Sequence, residues 1–213
     1  MGRRYMKKVT VNGTVASHEL YLYRGYLQLA ALDMLDNRNV LRTLLWDPLE
    51  PVATRPLALV EAASLYCYGT DFNKNVTEVF DGQGTIAATY DYSPYGTVTG
   101  TGSLVQPVQW SSEMNDEELA LVYYNYRYYN PADGRWINRD PIAAEGGWNL
   151  YGFVGNNSEK NIDSLGLIFG SKGEFNIGGN IIFEESILLF EFVAVLFVTG
   201  TALELSLIHI SEP

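Results

Sequence analysis

The 213-residue chain is poor in the residues on which much catalysis and redox chemistry depends. It has one cysteine, Cys67, so no internal disulfide can form. Inside the run Leu-Tyr-Cys-Tyr that thiol reads as a small packed hydrophobe. Its two histidines, His18 and His209, lie in no supporting motif, which leaves a nucleophilic thiol without a base. The sequence shows no metal-ligand cluster, no phosphate loop and no Ser/His/Asp arrangement, so neither cofactor nor metal is expected. Cations are also scarce. Fourteen Lys and Arg face 25 Asp and Glu, for a net charge of -11. Phosphates would be repelled, so nucleic acid is excluded as a partner of this part. No secretory signal opens the chain. The basic start, Met1 to Lys8, runs into the polar Val-Thr-Val-Asn-Gly-Thr rather than an apolar stretch.

What is present points to an ordered, turn-dense β protein. Hydrophobic residues make up 47% and charged residues 18%, which is not a disordered composition. There are 15 Tyr and 20 Gly. Tyr suits half-exposed sheet faces, and Gly supplies the positive φ angles of tight turns. Residues 5–29 read as two strands around Asn12-Gly13, a strong hairpin signal, with Val15 to Leu29 as the second strand. Leu29 to Met34 and Val40 to Trp46 read as strands. Asp47-Pro48 through Arg55-Pro56 reads as a loop, because proline removes a ladder donor. Val76–Phe80, the turn Asp81-Gly82-Gln83-Gly84, Thr85–Tyr92 and the turn Ser93-Pro94-Tyr95-Gly96 form a further hairpin unit. Gly100 to Gly102 reads as a flexible link, and Leu119 to Tyr129 as one long strand.

The stretch from Tyr123 to Leu167 is the most informative. It reads Tyr-Tyr-Asn-Tyr-Arg-Tyr-Tyr-Asn-Pro-Ala-Asp-Gly-Arg-Trp-Ile-Asn-Arg-Asp-Pro-Ile, later Gly-Gly-Trp-Asn-Leu-Tyr-Gly-Phe-Val-Gly-Asn-Asn, and ends Ile-Asp-Ser-Leu-Gly-Leu. Aromatics alternate with polar residues at period two, and turn formers interrupt them. This stretch resembles the repeat-associated core of bacterial RHS/YD-repeat proteins of the polymorphic-toxin type. Tyr90-Asp91-Tyr92-Ser93-Pro94-Tyr95-Gly96 resembles the repeat itself, and Gly2-Arg3-Arg4 resembles a repeat's ending. The resemblance implies an all-β fold, with antiparallel hairpins of a shell wall closed by the core. Single hairpins cannot bury an apolar face alone, and stacking them does. The chain then divides into repeat strands over 1–108, the core over 109–167, and a variable C-terminal segment over 168–204. Residues 205–213, Leu-Ser-Leu-Ile-His-Ile-Ser-Glu-Pro, resemble a translated sequencing-library adapter. Under that reading His209 is not part of the protein proper, and both true termini lie elsewhere.

The resemblance also implies a chemistry. In the family, an Arg-Asp-Pro motif and a later Asp-x-x-Gly-Leu motif form a single-turnover aspartyl autoprotease. Carried over, Arg139, Asp140 and Asp163 are the candidate machinery, and the bond between Leu167 and Ile168 is the target. Carboxylates suit the task, since one must take a proton from water while the other gives one to the carbonyl oxygen. A bond in the same chain needs no substrate binding. Spacing alone also fits turn-capping aspartates. The chain departs from the family pattern at Ser164, which stands where proline is common. It departs again at Ala143-Ala144-Glu145, which replaces the commoner Gly-Leu.

The expected function is encapsulation and release of a C-terminal effector, in a secreted or surface-located protein served by secretion or surface machinery. The alternative is a non-catalytic surface protein that binds carbohydrate or another cell through the cluster Tyr123, Tyr124, Tyr126, Tyr128, Tyr129, Trp136, Trp148, Tyr151 and Phe153. A period-two tyrosine ladder otherwise signals sheet packing. Residues 187–203 are almost wholly apolar apart from Glu191, so they read as a buried hairpin, a core helix or a membrane-contacting segment.

Overall fold

A computed structural model describes residues 3–49, 55–167, 169–171, 192–199 and 202–209. The all-β expectation holds: every regular element of more than one turn is a strand, and all ladders are antiparallel. Nine strands form one meander in sequence order. They are β1 (Met6–Val11), β2 (Thr14–Arg24), β3 (Leu27–Asp33), β4 (Asn39–Trp46), β5 (Pro56–Glu61), β6 (Ser64–Thr70), β7 (Val76–Asp81), β8 (Ile86–Tyr92) and β9 (Val98–Gly102). The Asn12-Gly13 turn sits where expected, with both residues at positive φ. Aspartates fix later turns: Asp81 Oδ1 accepts the amides of Gln83 and Thr85, at 2.9 and 2.8 Å.

Several expectations need correction, among them that for Cys67, which is exposed on β6 and not packed. The second strand ends at Arg24, and Gly25 (φ 56) turns the chain into β3. Alternation continues across that turn, so the pattern alone hid it. Pro56 begins β5 instead of closing a loop, at the first strand position, where a missing donor does least harm. Gly100–Gly102 belongs to β9, and the Thr89 and Thr101 hydroxyls bond across the ladder at 2.6 Å. Glycine is required at 102, where φ is 104 and a side chain would overlap the Ala87 carbonyl.

A second sheet of four short strands carries the core motif: β10 (Met114–Asp116), β11 (Leu121–Tyr124), β12 (Arg127–Asn130) and β13 (Arg135–Trp136). The long strand expected over Leu119–Tyr129 is therefore a hairpin, turning at Asn125 (φ 25) and Tyr126. Period two explains its tyrosines. Tyr123 points to one side, joining Leu44, Leu59, Val76, Val79, Val108 and Met114 under the large sheet. Val122 and Tyr124 point to the other, joining Trp110, Tyr129, Trp136, Phe153 and Val154. Each such buried side chain contributes about 1.5–3 kcal/mol. Buried charge also ties the sheets together. Asp116 pairs with Arg4 and, at 3.0 Å, with Lys7, while the Arg4 guanidinium lies 4.7 Å over the Tyr123 ring.

Two further pairs complete the description. Within the first compact unit, residues 1–174, β14 (Asn161–Asp163) pairs with β15 (Phe169–Ser171). In the second unit, residues 175–213, β16 (Phe192–Thr199) pairs with β17 (Ala202–His209). The apolar run 187–203 is thus strand over its described residues. No helix among the described residues is long and apolar enough to cross a membrane.

Candidate functional site

Asp140 and Asp163 lie 23 positions apart, yet one side chain joins them. Arg127 on β12 reaches Asp140 Oδ2 with Nη1 at 2.8 Å and Asp163 Oδ2 with Nη2 at 3.3 Å. Its Nε donates to the Gly166 carbonyl, and its guanidinium lies 4.2 Å from the Trp136 ring centroid. All three charged side chains are 3–4% exposed. Strand pairing aims Arg127: it faces Tyr124 across the β11–β12 ladder and shares the inward face with Tyr129. A planar guanidinium with five donors suits this position, because it can serve two carboxylates, one carbonyl and one ring face together.

Each aspartate is also held by backbone. Asp140 Oδ1 accepts the Ile142 amide at 3.0 Å, and its own amide donates to the Leu150 carbonyl. Asp163 ends β14 and caps the connection to β15. Its Oδ1 accepts the amides of Leu165, Gly166 and Leu167 at 3.1, 2.7 and 3.2 Å. Gly166 has φ 76, and a Cβ there would sit 3.1 Å from Tyr124. The Asp-x-x-Gly-Leu spacing is therefore the geometry of one carboxylate gathering three consecutive amides around a left-handed glycine.

Burial pushes the Asp163 carboxyl up to about 6, against the opposing pull of Arg127 and the three amides. The same desolvation lowers the Arg127 guanidinium, and the two carboxylates oppose that shift. The site holds two acids and one base, all buried, so it carries one net negative charge when all are ionised. Such a site readily takes up a proton.

Leu167 enters the same corner. A Cβ built on Gly146 would overlap Asp140 Oδ2 and lie 3.0 Å from the Leu167 carbonyl oxygen. The Asp140 carboxyl and the Leu167 carbonyl therefore converge on one spot beside Gly146. Ile168, on the far side of the expected target bond, lies outside the described residues.

The remaining expected residues sit elsewhere. Arg139 is exposed and forms no ion pair among the described residues. The cation between the aspartates is Arg127. It was hidden inside Tyr-Arg-Tyr-Tyr, where the tyrosines drew the packing interpretation. Its inward parity was the available signal, since a cation on a buried face needs buried anions. Glu145 is exposed on a short 3-10 turn, Ala143–Gly146. Ala143 has φ 54, the left-handed region in which glycine is at ease. Of the aromatic cluster, Tyr124, Tyr129 and Trp136 are fully buried, whereas Trp148 is fully exposed.

No protein-family model matches the chain. Several curated proteins do. The chain is 38% identical over 92 residues to an uncharacterised Escherichia coli protein, YlbH, covering 42% of this chain and 39% of that one. It is 31% identical over 127 residues to the double-stranded DNA deaminase toxin A of Burkholderia cenocepacia, covering 51% of this chain and 9% of the toxin. It is 38% identical over 65 residues to the probable deoxyribonuclease RhsB of Dickeya dadantii, covering 30% of this chain and 4% of that protein. The chain thus spans less than half the length of these relatives. Among solved structures, a crystal structure of TcdB2–TccC3 matches 78% of this chain and 9% of the other, with TM-score 0.60 and 22% identity. That similarity speaks for the fold.

Proposed function

We propose, from the chain's similarity to RHS and toxin-type proteins, that it walls in a C-terminal effector segment and releases it by cutting itself after Leu167. The observation that carries this reading is the convergence of Asp140, Asp163, Arg127 and the Leu167 carbonyl in one buried corner. The proposed step adds water across the Leu167–Ile168 amide. One carboxylate takes a proton from water as its oxygen bonds to the Leu167 carbonyl carbon. The other carboxyl gives a proton to the carbonyl oxygen. Collapse breaks the C–N bond and passes a proton to the departing Ile168 nitrogen. Asp163, which burial raises to about 6, holds a proton readily and is assigned the donor role. Asp140, which shares the space beside Gly146 with the Leu167 carbonyl, is assigned the base. Arg127 holds both in register and offsets the charge that develops. Because the target is tethered, one slow turnover suffices.

The effector is then the chain's own partner, and secretion or surface machinery its carrier to a place of action outside the producing cell. The toxins among the relatives support this setting. A TcdB2–TccC3 structure has also been solved without a hypervariable C-terminal region, so a variable C-terminal segment occurs in a protein of like fold. The competing carbohydrate-binding reading needs open aromatic faces; the rings of Tyr124, Tyr129 and Trp136 are committed to the core, which leaves Trp148 and Tyr151 as the cluster's clearly exposed rings. Sequencing the amino terminus of any fragment released on expression tests the proposal. A new terminus at Ile168 is the expected result. Fragments beginning elsewhere would refute the assigned bond.

A further inference from the structure

Gly146 and Gly147 adjoin each other but are glycines for different reasons. Gly147 has φ 126, a conformation that other residues rarely adopt, and a Cβ there would meet nothing within 4 Å. Gly146 has no such angle, so its backbone would accept alanine. What excludes a side chain is occupancy: its Cβ position is filled by the Asp140 carboxyl, with Oδ2 overlapping and Cγ at 3.0 Å, and by the Leu167 carbonyl oxygen at 3.0 Å. Both neighbours are constrained. Asp140 is fixed by Arg127 and by the Ile142 amide. Leu167 is fixed by the Asp163 carboxylate. Neither is the loose end of a flexible surface side chain, so neither gives way without loss of the geometry just described.

We propose that Gly146 is a positioning residue for self-cleavage: its missing side chain is the slot in which the Asp140 carboxyl meets the Leu167 carbonyl. This rests on the self-cleavage reading, but the slot itself makes a prediction that does not need cleavage. A methyl group at 146 displaces the carboxyl, the carbonyl or both. Displacement of a reacting group by about 1 Å lowers rates on the order of 100-fold.

The test uses the whole chain with Gly146→Ala, Asp140→Ala, the double variant and Gly147→Ala. Self-cleavage and thermal unfolding are followed for each. Gly146→Ala is expected to cut at least about 100-fold more slowly than wild type. In the folded fraction Gly147→Ala should cut at a rate within a few-fold of wild type, since it fills no slot. In unfolding, Gly146→Ala should lower the melting temperature in the Asp140 background and lower it much less once Asp140→Ala has removed the overlapping carboxyl, only the Leu167 carbonyl contact at 3.0 Å remaining, so the two substitutions are strongly non-additive. If Gly146→Ala does not fold, recovery of folding in the double variant carries the same meaning. Additive effects, or a double variant that also fails to fold, would overturn the slot. Undiminished cutting by Gly146→Ala would overturn the positioning role. A wild-type chain that never cuts, with the non-additivity intact, would remove the self-cleavage reading and leave the slot as a packing device only.

Discussion

Replacing Arg127 with methionine removes the one cation that the described residues place in the buried corner, while keeping a side chain of similar reach. Two carboxylates, each 3–4% exposed, then lose their shared partner, and the Gly166 carbonyl loses its donor. Breaking a buried pair by removing one member destabilises by about 3–5 kcal/mol, because the remaining charge stays desolvated. Loss of the guanidinium over Trp136 adds to this, though the terms overlap and do not sum. The penalty must depend on pH, with a definite sign. Asp163 is raised to about 6 in the folded chain, above its ordinary value of 3.8. Between those values the folded state binds more protons than the unfolded one, so stability from this group is present at low pH and is lost as pH rises through about 6. Arg127 works against that loss. Its removal should therefore be most damaging above pH 6 and least damaging near pH 4, where Asp163 is neutral. Urea unfolding at pH 7.5 and pH 4.5 reads both quantities. A variant within about 1 kcal/mol of wild type at pH 7.5, well below the expected range, would refute the hub. So would a penalty equal at both values.

Three further outcomes follow from the same geometry. Trp136→Ala empties a fully buried site among Tyr124, Tyr129 and Phe153, and should lower unfolding free energy by about 3–5 kcal/mol in a denaturant titration. Arg139→Ala should leave both stability and self-cleavage near wild type, because Arg139 is exposed and joins neither aspartate; a large loss in either assay would restore it to the site. Ala143→Gly should raise stability by about 1 kcal/mol, since residue 143 sits at φ 54 and glycine relieves that strain; an unchanged or lower melting temperature would contradict it.

The sequence made most of the large sheet legible because its turns are chemically marked. Asn12-Gly13, Asp81-Gly82-Gln83-Gly84 and Ser93-Pro94-Tyr95-Gly96 all turn the chain where their residue types require. It failed where a turn carried no interruption of the hydrophobic alternation, as at Gly25-Tyr26 and Asn125-Tyr126. Period two survives a two-residue turn, so two short strands look like one long one. The candidate site was half legible. Asp140 and Asp163 stood out only through the family motifs that they resemble, and the structure shows the physical content of the second motif in three amides gathered on one oxygen. Arg127 was not legible as a member, because its partners come from distant segments and only the ladder register brings it to them. Gly146 lay equally deep. A glycine needed for space, rather than for its backbone angle, has no local signature and appears only when its neighbours are seen.

The proposed cut by the two aspartates after Leu167 is read most directly in the intact mass of the expressed 213-residue protein. The wild-type chain should separate, in denaturing conditions, into two masses that together equal the uncut chain plus one water and divide between Leu167 and Ile168. Asp140→Asn and Asp163→Asn should each give the single uncut mass while retaining a cooperative unfolding transition, because loss of either member of an acid–base unit removes nearly all of its activity. Two masses persisting in either variant, or a single uncut mass in the wild type, would contradict the account.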